Sequence, residues 1–304
     1  DRKCMECLGL SKFQAHFMKT GNCDRMKLLE KATAGNEVYC MNQSERRQYL
    51  IRSLCDERAQ NRRMEIPSGK KEQDDLLRAL MNVREPEKIS EEFLKIQDAY
   101  LQEEQSKRVL TDVSGLTPVS LDPRMVLWQG DITTLKVDAI VNAANSGMCG
   151  CFYPLHGCID NIIHSRSGIQ LRLYCADMMR KQGHEEAIGQ AKITPAFNLP
   201  CKYVLHTVGP IIRGAVTERD CELLESCYRS CLTLAAESGV ESIAFCCIST
   251  GEFHFPNEKA AEIAVQTVKN FLATETRTKK VVFNVFKDMD KEIYRKLLGA
   301  DRAD

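Results

Sequence analysis

The amino-acid sequence predicts an α/β fold, a three-layer α/β/α sandwich with a mixed, largely parallel sheet, preceded by a small helical extension. Three observations carry this expectation. From about residue 120 short apolar runs alternate with helical patterns, as strands joined by crossover helices do. Between residues 41 and 115 the periodicity is helical only, with apolar positions gathered in stripes. The 304 residues, 43% hydrophobic and 28% charged, suit one large globular unit or two smaller ones.

In chain order, residues 1–40 show weak periodicity and stay unassigned. Cys4, Cys7 and Cys23 lie there without a fourth ligand at ribbon-like spacing, so no metal site is read from them. Residues 41–115 form the helical extension, expected to pack on the α/β unit. Ser44 is the expected cap of a helix over residues 45–54, with Leu50, Ile51 and Leu54 on one face. Asn42-Gln43-Ser44 matches a glycosylation acceptor and is read as chance. Pro67-Ser68-Gly69 breaks the chain before a helix over residues 74–83, which Pro86 closes. Ser90 caps the next helix, with Glu91 and Glu92 at the positive end of its dipole. Residues 116–304 form the α/β unit. Its strands are expected over residues 124–128, 137–141, 203–208, 242–248 and 280–286. Its helices are expected over residues 158–181, 219–238, 257–272 and 290–298, with Gly239 ending the second.

Charge and cysteine usage narrow the function classes. Lys and Arg number 42 and Asp and Glu number 42, so bulk charge draws the chain to neither nucleic acid nor a membrane surface. No apolar run approaches the roughly 18 residues of a spanning helix, and no apolar core succeeds the charged start. Fifteen cysteines, several inside apolar segments (Cys227, Cys231, Cys246, Cys247), fit reduced core thiols and an expected cytoplasmic location.

Ligands of parallel sheets bind beyond the carboxyl ends of strands, and four loops at such ends hold candidate chemistry. There is neither a Walker loop nor a G-x-G-x-x-G turn. Gly130-Asp131-Ile132-Thr133 puts a carboxylate at a strand end, where it either accepts from an adenine amino group or caps a turn. Asn142-Ala143-Ala144-Asn145 offers amides suited to sugar hydroxyls, or simply to a turn. Ser249-Thr250-Gly251-Glu252-Phe253-His254 leads into a helix N-terminus, where free backbone N–H groups cradle a diphosphate. Last, Cys151-x4-His156-x-Cys158 is a dense thiolate and imidazole cluster that suits zinc, and three protein ligands leave a position open for substrate or water. Cys149 is an alternative ligand.

These segments, in this order and spacing, resemble the macrodomain family over roughly residues 120–300. Val137-Asp138-Ala139-Ile140-Val141-Asn142-Ala143-Ala144-Asn145, His206-Thr207-Val208-Gly209-Pro210 and Ser249-Thr250-Gly251 carry the likeness. Ile159-Asp160-Asn161-Ile162-Ile163-His164 keeps the Asp and His of a run found in MacroD-type hydrolases. The glycine-rich loop of those enzymes is replaced here by residues 151–158, as in the zinc-dependent branch. Leu76 to Arg84 and Phe93 to Asp98 resemble that branch's N-terminal extension.

The resemblance implies a zinc-dependent hydrolase that removes ADP-ribose from ADP-ribosylated proteins, with Asp- or Glu-linked mono-ADP-ribose as substrate and ADP-ribose as product. It implies Zn2+ on Cys151, His156 and Cys158, and an ADP-ribose pocket made by Asp131, Ile132, Asn145, Ser249, Thr250, Gly251, Glu252 and Phe253. Phe286 or Asn284 would border the adenine. Asn145 and Asp160 are the expected catalytic residues, with His164 either orienting Asp160 or structural. His184 is expected at the surface and His206 in the core. A sirtuin-type ADP-ribosyltransferase is the implied biological counterpart. Two other readings use the same pocket, a non-catalytic ADP-ribose reader and an O-acyl-ADP-ribose deacylase; a phosphatase acting on ADP-ribose phosphate fits the metal cluster less well.

Overall fold

The computed structural model describes residues 41–300; Cys4, Cys7 and Cys23 fall outside the described residues. Three helices come first: α1 (Gln43–Asp56), α2 (Lys70–Val83) and α3 (Glu91–Ser106). The cap of α1 is Asn42, not Ser44. Its Oδ1 accepts from the Ser44 and Glu45 N–H groups, and Glu45 Oε2 accepts from the Asn42 N–H at 2.7 Å. That reciprocal box needs an acid three residues after the cap, and only Asn42 has one. α2 begins at Lys70, directly after Gly69, rather than at 74. Ser90 Oγ accepts from Phe93 N–H at 3.1 Å and caps α3. Leu50, Ile51, Leu77, Leu80, Phe93 and Ile96 close into an apolar cluster that Ile169 of the α/β unit enters.

A short parallel pair, β1 (Thr111–Asp112) with β3 (Leu135–Lys136), leads into the main sheet. That sheet holds β2 (Met125–Gln129), β4 (Ala139–Ala144), β5 (Ala191–Pro195), β6 (Tyr203–Val208), β7 (Ser242–Phe245) and β8 (Lys280–Val285). Its order is β2-β8-β7-β4-β6-β5, parallel throughout except for β5 against β6. β5 escapes the sequence reading because it is only five residues long and ends in Pro195, a residue that only an edge strand tolerates. β7 stops at Phe245, three residues short of expectation, where the chain turns towards the left-handed Ser249 (φ 65°).

The helix expected over residues 158–181 is two, α4 (Ile159–Ser167) and α5 (Ile169–Gln182). Gly168 separates them with φ 98°, a left-handed position that glycine takes without cost. α6 (Glu218–Glu237), α7 (Asn257–Thr274) and α8 (Asp288–Leu298) complete the unit. α5 and α6 both pack on β5; α4 lies on β4, α7 on α6, and α8 on β2 and β8. Between the layers Ile140, Leu205, Phe245, Val282, Tyr228 and Val268 form one continuous core. No helix among the described residues is long and apolar enough to cross a membrane.

Candidate active site

Because β2, β4, β7 and β8 run parallel, their carboxyl ends share one edge of the sheet, and the loops leaving them enclose a cavity of about 700 Å³. Asp131 and Ile132 enter it from the end of β2, and Asn145 from the end of β4. Cys151, His156 and Cys158 come from the connection between β4 and α4, and Asp160 from the first turn of α4. Ser249, Thr250, Gly251, Glu252 and Phe253 come from the turn between β7 and α7, with Asn284 and Phe286 at the end of β8. The candidate ADP-ribose, catalytic and metal residues therefore all line one cavity.

At one end stands the three-donor group. The Sγ atoms of Cys151 and Cys158 and a ring nitrogen of His156 all lie within 4.8 Å of one another. Cys151 Sγ is 3.7 Å from His156 Nδ1. On the ring's other side His156 Nε2 lies 3.6 Å from Glu252 Oε1. Cys149 is not part of the group; its carbonyl accepts from Arg172 Nε at 2.7 Å. Burial pushes the Cys158 thiol up to about 12, and the Cys151 and Asp160 charges add to it. A divalent cation reverses that balance by binding the thiolate. Two thiolates and an imidazole match zinc's preferences, and a zinc ion held by these three would keep a fourth position for substrate or water.

Asp160 lies beside this group, 5% exposed. Its Oδ1 accepts from Asn142 Nδ2 at 2.8 Å and its Oδ2 from Asn145 Nδ2 at 3.3 Å. Burial raises its pKa to about 6, against the pull of the Asn142 hydrogen bond and Arg172. Behind it, Asn142 Nδ2 is 3.1 Å from His206 Nδ1. An amide nitrogen only donates, so Nδ1 accepts and the His206 proton sits on Nε2, 3.0 Å from Thr194 Oγ1. Burial lowers His206 to about 4. His164 is buried too, 3.5 Å from Asp160 Oδ1 through Nε2, and burial holds it far below its ordinary value. His164, Cys175 and His206 form a second group of potential donors, wholly inside the core. His184 is exposed.

A backbone cradle adjoins the donor group. The hydrogen bonds of the turn after β7 use the N–H groups of Thr250, His254 and Phe255 as donors, not those of Gly251, Glu252 and Phe253. Gly209, just past β6, packs closely under this turn, and a Cβ there would displace Ser249 Oγ and come within 3.0 Å of Ile248 Cγ2. Phe255 is core, 1% exposed, whereas Phe253 lines the cavity. Asp131 caps the short 3₁₀ turn Ile132–Thr134, its Oδ1 accepting from Thr133 N–H at 2.9 Å, while Arg108 pairs with its Oδ2. The turn role and the cavity-facing role thus coexist in one residue.

Sequence reading missed Arg172, Arg78, Asn82 and the outer contact of Glu252. None carries a local motif, because each acts on a loop distant in sequence.

A Macro domain family model matches residues 141–264. A protein-ADP-ribose hydrolase of Treponema medium is 58% identical over 261 residues, covering 85% of this chain and 100% of its own length. The chain belongs to the macrodomain family. A second relative, a protein-ADP-ribose hydrolase of Staphylococcus aureus (strain MRSA252), is 49% identical over 257 residues, covering 84% of this macrodomain chain and 96% of its own. Among solved structures, a Trypanosoma brucei macrodomain in complex with ADP-ribose superposes with a TM-score of 0.58 at 29% identity, covering 73% of this chain and 95% of that one.

Proposed function

We propose that this macrodomain is a hydrolase that removes ADP-ribose from ADP-ribosylated proteins, with zinc held by Cys151, His156 and Cys158. The observation that carries the reading is the convergence of the three-donor group, Asn145, Asp160 and the backbone cradle on a single cavity. Relatives named protein-ADP-ribose hydrolase, matched over nearly their whole length, support the reaction class. A sirtuin-type transferase as the source of the modified protein rests on family resemblance.

The cavity's residues divide the work by position. Asp131, Ile132 and Phe286 border the adenine. The N–H groups of Gly251, Glu252 and Phe253 hold the diphosphate, as unpaired backbone donors do. Asn145 orients the distal ribose, placing the scissile bond beside the donor group. Bound there, zinc supplies a Lewis acid for a substrate oxygen or lowers the pKa of a bound water to about 7. Asp160 accepts a proton from the attacking water; its buried carboxylate has the raised proton affinity that a base working near neutral pH needs. We favour an ester to Asp or Glu as the bond broken, because an acyl leaving group departs readily once positioned.

The test is release of ADP-ribose from an Asp/Glu-ADP-ribosylated protein, with and without a zinc chelator, alongside Cys151→Ala. Chelator-sensitive release that Cys151→Ala abolishes, with ADP-ribose binding retained, is the expected result. Tight ADP-ribose binding by zinc-loaded protein without turnover identifies a reader. Turnover of O-acyl-ADP-ribose alone identifies a deacylase.

A further inference from the structure

The loop that carries the metal donors has little structure of its own. Residues 146–158 contain no helix or strand. Three of them sit in the left-handed region: Met148 (φ 58°), Gly150 (φ 82°) and Leu155 (φ 57°). Two of these carry side chains, which resist that conformation, so something else must hold the loop. Inside it, the backbone pairs only Met148 N–H with the carbonyl of Asn145 and His156 N–H with that of Tyr153.

The hold comes from outside, shared between the α/β unit and the helical extension. Arg78 of α2 donates through Nη2 to the carbonyl of His156 at 2.6 Å and to Asn161 Oδ1 at 2.7 Å. Asn161 in turn donates to the carbonyls of Cys151 and Tyr153 at 3.4 and 3.0 Å. Asn82, 1% exposed, accepts the N–H of left-handed Leu155 at 3.0 Å and donates to Ser165 Oγ at 2.9 Å. Arg172 of α5 ties the two parts together. Its Nη1 donates to the carbonyls of Met81, Asn82 and Arg84 at the end of α2, at 3.0, 2.7 and 2.7 Å. Its Nε and Nη2 reach the carbonyls of Cys149 and Cys151, and the guanidinium lies 4.1 Å from the Phe152 ring centre. Cys151 and His156 are thus held through their carbonyls by this frame, and Cys158 Sγ accepts the N–H of Asn161, itself held by Arg78, at 3.4 Å.

We propose that the helical extension is a brace for the metal centre, with Arg78 and Asn82 as positioning residues that set metal affinity. They act on the backbone of the donor loop, and the proposal rests on the reading of Cys151, His156 and Cys158 as the metal donors. Partners that orient metal ligands from behind are worth about 10–100-fold in affinity, and a loop this short of internal bonds belongs in that range.

The test is a cobalt titration of the full chain. The thiolate-to-cobalt absorption reports binding, and competition with a chelator gives the dissociation constant. Arg78→Ala and Asn82→Ala are expected to weaken cobalt about 10–100-fold, with the chelated proteins melting close to wild type. Leu50→Ala, in the extension's core but away from the loop, lowers the melting temperature and leaves cobalt affinity within about threefold of wild type if the brace acts locally. Wild-type affinity in both brace variants overturns the proposal, as does an equal loss in Leu50→Ala. Failure of the wild type itself to bind cobalt, or binding unaffected by Cys158→Ala, overturns the metal reading beneath it.

Discussion

Asp160 is the residue on which the proposed chemistry turns, and its surroundings fix what a substitution does. Both carboxylate oxygens accept from asparagine amides, Asn142 on one and Asn145 on the other. Asp160→Asn keeps the volume and removes the base. It should lower kcat by about 10²–10⁴-fold while calorimetry shows ADP-ribose affinity little changed; a fall in affinity with intact kcat would assign Asp160 to binding instead. Gly150 is constrained differently. With φ 82°, it faces the buried His164 ring, and a Cβ would come within 2.8 Å of it. Gly150→Ala should cost about 1–3 kcal/mol in denaturant unfolding, since neither the strained backbone nor a fully enclosed ring yields cheaply. A variant as stable as wild type would mean the loop relocates freely.

At the scale of elements, the break between α4 and α5 shows what local pattern leaves out. The run of residues 158–181 has helical periodicity throughout, and Gly168 alone hints at an interruption. The break is made from elsewhere: Gln97 of α3, fully buried, accepts the first N–H of α5, that of Ile169, at 3.0 Å, and donates to Gln170 Oε1 at 2.5 Å. Gln97→Ala leaves that N–H buried without a partner and should destabilise by about 1–3 kcal/mol, measured as a shift of the urea midpoint at constant slope. The strands after which the cavity forms are legible because each is a short apolar run ending in a loop of Asp, Asn or Ser-Thr-Gly. The edge strand β5 is not, because it is only five residues long and ends in Pro195, too short and too turn-like for its alternation to stand out. Nor is the grip of Arg78 and Asn82 on the donor loop, since side chains reaching across 70 to 80 residues of chain leave no periodic trace.

For the molecule as a whole, pH is a lever. The folded value of His206, about 4, lies below its ordinary 6.5, so the unfolded chain takes up this proton first. Its contribution to stability is whole above pH 6.5 and is lost as pH falls towards 4. Asp160 runs the opposite way, its raised value weakening the fold as pH climbs from 3.8 to 6. Comparing wild type with His206→Gln cancels the Asp160 contribution: the stability advantage of wild type should shrink from pH 7.5 to pH 5 in chemical unfolding. An advantage independent of pH would mean His206 is not buried neutral. Sheet order has a consequence for the chain as it is made. β2, the first strand of the six, pairs only with β8, the last, Met125 lying beside Val281. The strand that leads to Asp131 therefore has no strand to pair with until almost the entire unit has left the ribosome. Nascent chains stalled before residue 280 should fail to retain ADP-ribose, and binding should switch on only once β8 emerges to seat the strand synthesised first.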